Sequence, residues 1–180
     1  KSKSVYTNHD YEPYARQRDT AVKEILQRKG ATFKTFKDQV IFEKGEVVKS
    51  DGKPYTIYTP YSKVWRTKLN VKDFNEHSIK ENYSNFYKFK STLPTLGEIG
   101  FKKTDINFPS KAIRNDIIKN YDNTRDIPSV DGTSRLSVHL RFGTLSVRLL
   151  VKEALMLNDV WLRELIWRDF YHMILWNFPQ

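Results

Sequence analysis

"VWLRELIWRDFYHMILWNFPQ" (residues 160–180) is the stretch that decides the fold of the C-terminal part of this chain. Leu162, Leu165, Ile166 and Met173 recur at intervals that place apolar side chains on one face of a helix. The pattern therefore predicts a long helix that buries this face in a core.

The same helix carries a second group of residues, whose role is open to two interpretations. At 3.6 residues per turn, Trp161, Glu164 and Arg168 share a face, and Trp167 follows three residues after Glu164. In the structural interpretation, Glu164 and Arg168 form an ordinary surface ion pair worth a few tenths of a kcal/mol. In the functional one, indoles beside charges stack on a flat polar ligand such as a base or a ring cofactor.

A second motif, "GTSRLSVHLRFGTLS", places small and hydroxyl residues before and at the start of a helix. The first N–H groups of a helix have no intrahelical acceptor, so together with the helix dipole and an arginine they can bind a phosphate. The alternative is a plain helix N-cap, a role that Ser and Thr commonly fill. The residues concerned are Gly132, Thr133, Ser134, Arg135 and Ser137.

The charge of the chain favours an anionic partner. Its 180 residues are 39% hydrophobic, enough for one modest core or parts of two. Lys and Arg number 31 against 21 Asp and Glu, which gives a net charge of +10. Basic surface gains free energy by releasing counterions around phosphate, so nucleic acid is the first partner to consider. A basic protein without such a partner is the alternative that charge alone leaves open.

Several classes of protein are not favoured. The sequence has no cysteine, so disulfides and thiolate sites are excluded, and a reducing compartment, the cytoplasm or a nucleus, is expected. His9, His77, His139 and His172 lack metal-ligand spacing, so no metal site is predicted. No signal peptide and no apolar run near the roughly 20 residues that cross a bilayer are found, so a membrane location is not expected.

The pattern of the first 48 residues predicts part of an alternating α/β unit. "VYT" is a strand candidate, and a helical stripe of Ala21, Val22, Ile25 and Leu26 is ended by Gly30. "ATFKTF" and "DQVIFE" then look extended. A helix between two strands predicts that the strands pair in a parallel sheet. A sheet of so few strands would leave its apolar faces exposed to solvent, which indicates further strands upstream.

Two further segments follow. Residues 49–100 are broken by Gly and Pro and have no sustained period, which predicts a long connector. Their many aromatic residues argue against disorder, so the connector is expected to lie packed along a surface. Residues 101–180 are predicted to be helical, through "KAIRNDIIKNY", "RLSVHLRFG", "SVRLLVKEALML" and the final stretch. The fold class is thus mixed α and β, mostly helical.

Four blocks of sequence, in order, resemble the DNA photolyase and cryptochrome family. They are "NHDYEPYARQRD", "YTPYSKVW", "YDNTRDIPSVDGTSRLSVHLRFGTLSVR" and "VWLRELIWRDFYHMILWNFP". The resemblance implies that residues 1–48 are the C-terminal part of a Rossmann-like antenna domain and residues 49–100 the inter-domain connector. Residues 101–180 would be the N-terminal part of a helical FAD-binding domain. The chain would then be an internal fragment of less than half such a protein.

The resemblance also implies two sets of site residues. Those implied to hold FAD, around its pyrophosphate and against the ring, are Tyr121, Thr133, Ser134, Arg135, Leu136, Ser137 and Trp161. Those implied to face damaged DNA are Arg125, Glu164, Trp167, Arg168 and Tyr171. Trp167 would stack on a flipped pyrimidine pair and Glu164 would bond to its base edges, while no residue of this chain is assigned a catalytic role.

The function implied is light-driven splitting of cyclobutane pyrimidine dimers by an electron from reduced FAD, in a protein that is monomeric when complete. Glu164 together with Trp167 resembles the class I dimer photolyases. An antenna chromophore is expected, but its identity is open, because Tyr14 and Ala15 stand where folate-using members carry an Asn-Glu pair. Two alternatives remain, namely a cryptochrome-like signalling flavoprotein without repair activity and a basic nucleic-acid-binding module.

Overall fold

The computed structural model describes residues 2–75 and 78–179, which form a mostly helical fold with one small parallel sheet. His77, one of the four histidines considered for metal binding, lies outside the described residues. Within those two ranges, no helix combines the length and the apolar character needed to cross a membrane.

The N-terminal part is a strand-helix-strand unit. It consists of β1 (Ser4–Asn8), α1 (Pro13–Arg28) and β2 (Thr32–Phe36). The strands pair in parallel, with Ser4 opposite Thr32 and Asn8 opposite Phe36. Just after α1, Gly30 takes a φ of +69°, which glycine adopts without a Cβ clash. The predicted parallel pairing of these two strands is confirmed.

The apolar faces of this unit are open, as expected for so small a sheet. Tyr6 is 61% exposed, Phe36 is 50% exposed and Ile25 on α1 is 46% exposed. Tyr6 and Phe36 stack on each other at a centroid distance of 6.0 Å, which covers only part of their surface.

The prediction of a third strand in "DQVIFE", residues 38–43, is wrong. Val40, Ile41 and Phe42 are buried, yet the sheet of the described residues contains only β1 and β2. The amides of Ile41 and Phe42 donate instead to the carboxylate of Asp169, at 3.1 and 3.2 Å. β-branched and aromatic residues indicate burial, but they do not distinguish a strand from a buried loop whose amides bond to a side chain.

The predicted connector contains a helix that sequence periodicity missed. α2 (Tyr58–Lys68) buries Tyr61 and Trp65 and packs against the last helix of the chain. After it come two short 3₁₀ turns and then a stretch without regular structure up to Arg114. The aromatic residues of that stretch, such as Tyr87 at 86% exposed, are not packed in the way we expected.

The helices of the C-terminal part begin at Asn115, so the predicted helical structure is found there but not in residues 101–114. These helices are α3 (Asn115–Lys119), α4 (Tyr121–Thr124), α5 (Ser137–Arg141), α6 (Val147–Leu157) and α7 (Asp159–Asn177). Asn158 caps α7, because its side-chain oxygen accepts the amides of Val160 and Trp161 at 2.9 and 3.1 Å. This cap fixes the start of the helix that carries four of the five residues predicted to face DNA.

One core joins the helices α2, α6 and α7 to the loop after β2. Leu162, Leu165, Ile166 and Met173 are all at most 5% exposed, which confirms the apolar face predicted for α7. Trp65 of α2 is completely buried in the same cluster. The loop of residues 41–47 contributes further members of that cluster, so the strand-helix-strand unit is joined to the helical part through buried contacts.

Candidate functional site

A cleft of about 340 Å³ opens between α4, α5, α7 and the loop before α5. All of the residues predicted to hold FAD line it. Glu164 and Arg168, which were predicted to face DNA, line it as well. The seven cofactor candidates lining the cleft are Tyr121, Thr133, Ser134, Arg135, Leu136, Ser137 and Trp161. Residues as far apart in the sequence as Tyr121 and Arg168 therefore meet at one surface.

A close backbone approach holds the loop that forms one wall of this cleft. A Cβ added to Gly132 would lie 2.5 Å from the Cβ of Thr124 and 2.8 Å from its carbonyl oxygen. The Thr124 hydroxyl lies 3.4 Å from the carbonyl oxygen of Gly132 and donates to it. Arg135, three residues later, has a φ of +51°, a left-handed conformation that costs a non-glycine residue roughly 1 kcal/mol. The sharp path of this loop thus depends on a residue without a side chain at position 132.

We expect Gly132→Ala to lower the free energy of unfolding by about 1–3 kcal/mol, because the added methyl group forces Thr124 and the loop apart. Denaturant unfolding measures the effect. Gly97→Ala is the matched control, since its Cβ would meet only the Thr95 hydroxyl at 4.0 Å. Equal midpoints for the two variants would show that the loop is not held by this contact.

The groups in this wall suit a phosphate, although not through the helix dipole. α5 has only five residues, so its macrodipole is small and adds little to anion binding. The hydroxyls of Thr133, Ser134 and Ser137 make no hydrogen bond with the residues that the structure describes. Arg135 reaches Asp131 at 2.9 Å and is 62% exposed, so its guanidinium can turn toward a stronger anion. Hydroxyl donors and a mobile arginine are a chemically suitable set for a pyrophosphate.

Glu164 forms an ion pair that the sequence did not predict. Its carboxylate meets Arg125 at 2.5 Å, and the guanidinium of Arg125 lies 5.6 Å from the ring centroid of Tyr121. The pair is about one-third exposed. It joins α7 to the turn that follows α4. Two residues that were predicted to face DNA thus meet at the edge of the cleft.

The alternative surface pair between Glu164 and Arg168 is wrong. Arg168 is half-buried, and its guanidinium donates to the backbone carbonyl of Gln39. Burial lowers the pKa of this guanidinium, with Asp169 acting in the opposite direction. Arg168 thus binds the loop after β2, and this contact stabilises the junction between the two parts of the protein.

Trp167 lies in an aromatic cluster at the exposed end of this face. Tyr58, the first residue of α2, stacks on its indole with centroids 3.6 Å apart and planes 6° from parallel. Phe170 meets the indole edge-on, and Tyr171 stacks at 5.5 Å and is 61% exposed. Trp161, in contrast, is only 4% exposed and belongs to the core. The indoles of Trp161 and Trp167 therefore have different environments.

Asp169 is a central residue that sequence reasoning missed. It is fully buried, and its Oδ2 accepts the amides of Ile41 and Phe42 and, at 2.9 Å, the indole N–H of Trp65. Its Oδ1 has no hydrogen-bond partner among the described residues. Burial raises the pKa of this carboxyl to about 6, while the three donors and Arg168 act to lower it.

Comparisons with known proteins found similar sequences and a similar fold. A sequence model of the family described as DNA photolyase matches residues 1–80. A deoxyribodipyrimidine photo-lyase of Synechococcus sp. is 30% identical across 99% of this chain, and one of Alkalihalophilus pseudofirmus is 31% identical across 95%. The chain is similar to the DNA photolyases. The resemblance in the four sequence blocks is thus confirmed.

The likeness to the DNA photolyases extends to the fold. A bacterial class III photolyase from Agrobacterium tumefaciens superposes with a TM-score of 0.69 over 98% of this chain, at 21% identity. At that identity the superposition is informative about the fold alone. The chain spans about 40% of the length of the curated photolyases that it matches.

The residues that sequence reasoning missed make their contacts with partners far away in the sequence. Tyr58 and Asp169 act through partners about 105 and 128 positions away, and no local pattern indicates such contacts. The signal that could have found Asp169 is an acidic residue next to a predicted apolar face. A carboxylate is rarely buried there unless donors surround it.

Proposed function

We propose that this chain is part of a longer, light-driven, FAD-dependent deoxyribodipyrimidine photo-lyase that splits cyclobutane pyrimidine dimers in DNA. The observation that carries the proposal is the cleft in which all seven cofactor candidates meet, beside Glu164 and next to the Trp167 cluster. The relatives named above, of which the chain covers about 40%, support the same assignment.

The cofactor side of the proposal concerns the cleft wall. Ser134, Ser137 and Arg135 would bind the pyrophosphate of FAD, because their hydroxyls and guanidinium line the cleft. Bound FAD would supply, in its reduced and excited form, the electron that splits the dimer. Trp161 would support the cofactor as a rigid wall, because its side chain is fixed in the core.

The substrate side of the proposal concerns the exposed end of the same face. A pyrimidine dimer stacks poorly in the duplex, so its extrusion costs less than that of an intact pair. Trp167 and the exposed Tyr171 offer ring surface for the extruded dimer, and Glu164 offers an acceptor for base-edge N–H groups. The net charge of +10 favours contact with the phosphates on either side.

An antenna chromophore belongs to the same proposal. A second cleft of about 430 Å³ lies beyond the carboxyl ends of β1 and β2, between this unit and the α5–α6 turn. Crevices at the carboxyl ends of parallel strands are common ligand sites in α/β folds. We assign the antenna to this cleft, and the antenna, connector and FAD-binding parts to residues 1–48, 49–100 and 101–180. In that division, α2 is the part of the connector that packs on the FAD-binding part.

The test uses the full-length protein, purified, reduced and mixed with dimer-containing oligonucleotide. We expect a bound flavin by absorbance and loss of the dimers under near-ultraviolet or blue light, with no loss in the dark. A protein that keeps flavin but leaves the dimers intact would support the cryptochrome-like alternative. A protein that binds the oligonucleotide without flavin would indicate the nucleic-acid-binding alternative instead.

A further inference from the structure

The ring of Tyr58 lies flat against the indole of Trp167, at a centroid distance of 3.6 Å and an angle of 6°. This is the shortest separation among the described ring pairs, and the two residues belong to different helices. Parallel rings at this distance restrict each other's rotation, because turning either ring would drive it into its neighbour.

The hydroxyl of Tyr58 is held by the same turn of α7. It donates to the carbonyl of Arg163 at 3.1 Å. In an α-helix that carbonyl also accepts the amide of Trp167, four residues later. Tyr58 therefore contacts both the side chain of Trp167 and the backbone turn from which it projects.

The core residue Phe170 packs against both rings. Phe170, which is 5% exposed, meets the ring of Tyr58 edge-on at 5.9 Å and the indole edge-on at 5.7 Å. Tyr58 is also the first residue of α2, whose Pro60 is tolerated because first-turn amides have no intrahelical acceptor. The fixed start of α2 thus presents the ring to α7.

We propose that Tyr58 is a positioning residue for the lesion site, which fixes the indole of Trp167 in the orientation that stacks on an extruded pyrimidine dimer. This inference rests on the proposed function. An indole that is already ordered loses less side-chain entropy when a base stacks on it, so dimer binding is strengthened relative to undamaged DNA. Tyr58 itself need not touch the DNA.

The experiment measures, in the full-length protein, the ratio of the dissociation constants for undamaged and dimer-containing duplex. We expect Tyr58→Ala to reduce this ratio about five-fold. Without the tyrosine ring, the indole of Trp167 must be immobilised when the dimer binds, and ordering one large side chain has a free-energy cost of that size. Tyr58→Phe keeps the stack and loses only the bond to Arg163, so its ratio should stay within about two-fold of the parent. Tyr58→Leu, which fills the site without a flat ring, should behave like Tyr58→Ala and serves if the alanine variant does not fold.

Two controls separate positioning from stability. Tyr61→Leu removes a buried ring of α2 that packs on Phe170, so the melting temperature should fall while the ratio is unchanged. In a Trp167→Ala background, Tyr58→Ala should have no further effect on the ratio. The inference is overturned if Tyr58→Ala leaves the ratio of dissociation constants at the parent's value. It is also overturned if Tyr58→Ala lowers this ratio as much in the Trp167→Ala background as in the parent. A parent protein with no dimer preference overturns the proposed function, and the inference with it.

Discussion

Asp169→Ala is expected to lower the free energy of unfolding by about 3–5 kcal/mol. The substitution leaves three buried donors without an acceptor, namely the amides of Ile41 and Phe42 and the indole N–H of Trp65. Each unpaired buried donor costs about 1–3 kcal/mol. The loop after β2 and the helix α2 would each lose a buried hydrogen bond to α7. Denaturant unfolding followed by tryptophan fluorescence measures the loss.

Asp169→Asn is the matched control, because its amide oxygen can accept the same three donors without a charge. The buried carboxyl has its pKa raised from 3.8 to about 6. Between these values the folded state binds more protons than the unfolded state, so the contribution of this carboxyl to stability is fully present below about pH 4 and is lost as the pH rises through 6. The contribution lost is about 3 kcal/mol. The difference in stability between parent and Asp169→Asn should therefore depend on pH in this window, and a constant difference would contradict the assignment.

Trp167→Ala, in the full-length protein, is expected to reduce the preference for dimer-containing DNA by about 1–3 kcal/mol, the contribution of one stacked base. The indole is only half-buried, with a tyrosine ring stacked on it and an exposed Tyr171 beside it, so part of its surface is open to a ligand. Some stability will also be lost, because Tyr58 and Phe170 lose a neighbour. Binding is therefore compared at a temperature at which both proteins are folded.

Trp176→Ala on the same helix is the control for this variant. That indole lies against Arg16 and Lys44, at 4.0 and 4.9 Å from its ring centroid, and away from the Tyr58 stack. Its loss should affect stability and leave the dimer preference unchanged. If Trp167→Ala melts earlier yet prefers damaged DNA as strongly as the parent, Trp167 is a packing residue and the substrate assignment for this face of α7 is wrong.

Much of the candidate site could be predicted from sequence, because its residues lie in contiguous motifs. The run Thr133–Ser137 and the helical spacing of Trp161 and Glu164 are local features, and the structure brings them to one cleft. Whether they bind FAD stays a prediction. The partner of Glu164 could not be predicted, since Arg125 lies 39 positions earlier and helical spacing favoured Arg168 instead.

The sequence by itself determined the elements whose pattern is local. The apolar face of α7 and the order of β1, α1 and β2 follow from periodicity and turn residues, which act within a few positions.

Only the tertiary structure decided that residues 38–43 form a loop with Val40, Ile41 and Phe42 buried, and that Tyr58 begins a core helix. It also decided that Arg168 and Asp169 bind the loop after β2. Each of these outcomes depends on which distant group satisfies a buried donor or acceptor. These partners come together only in the folded chain, where groups more than 100 positions apart meet, and no local preference of the sequence specifies them.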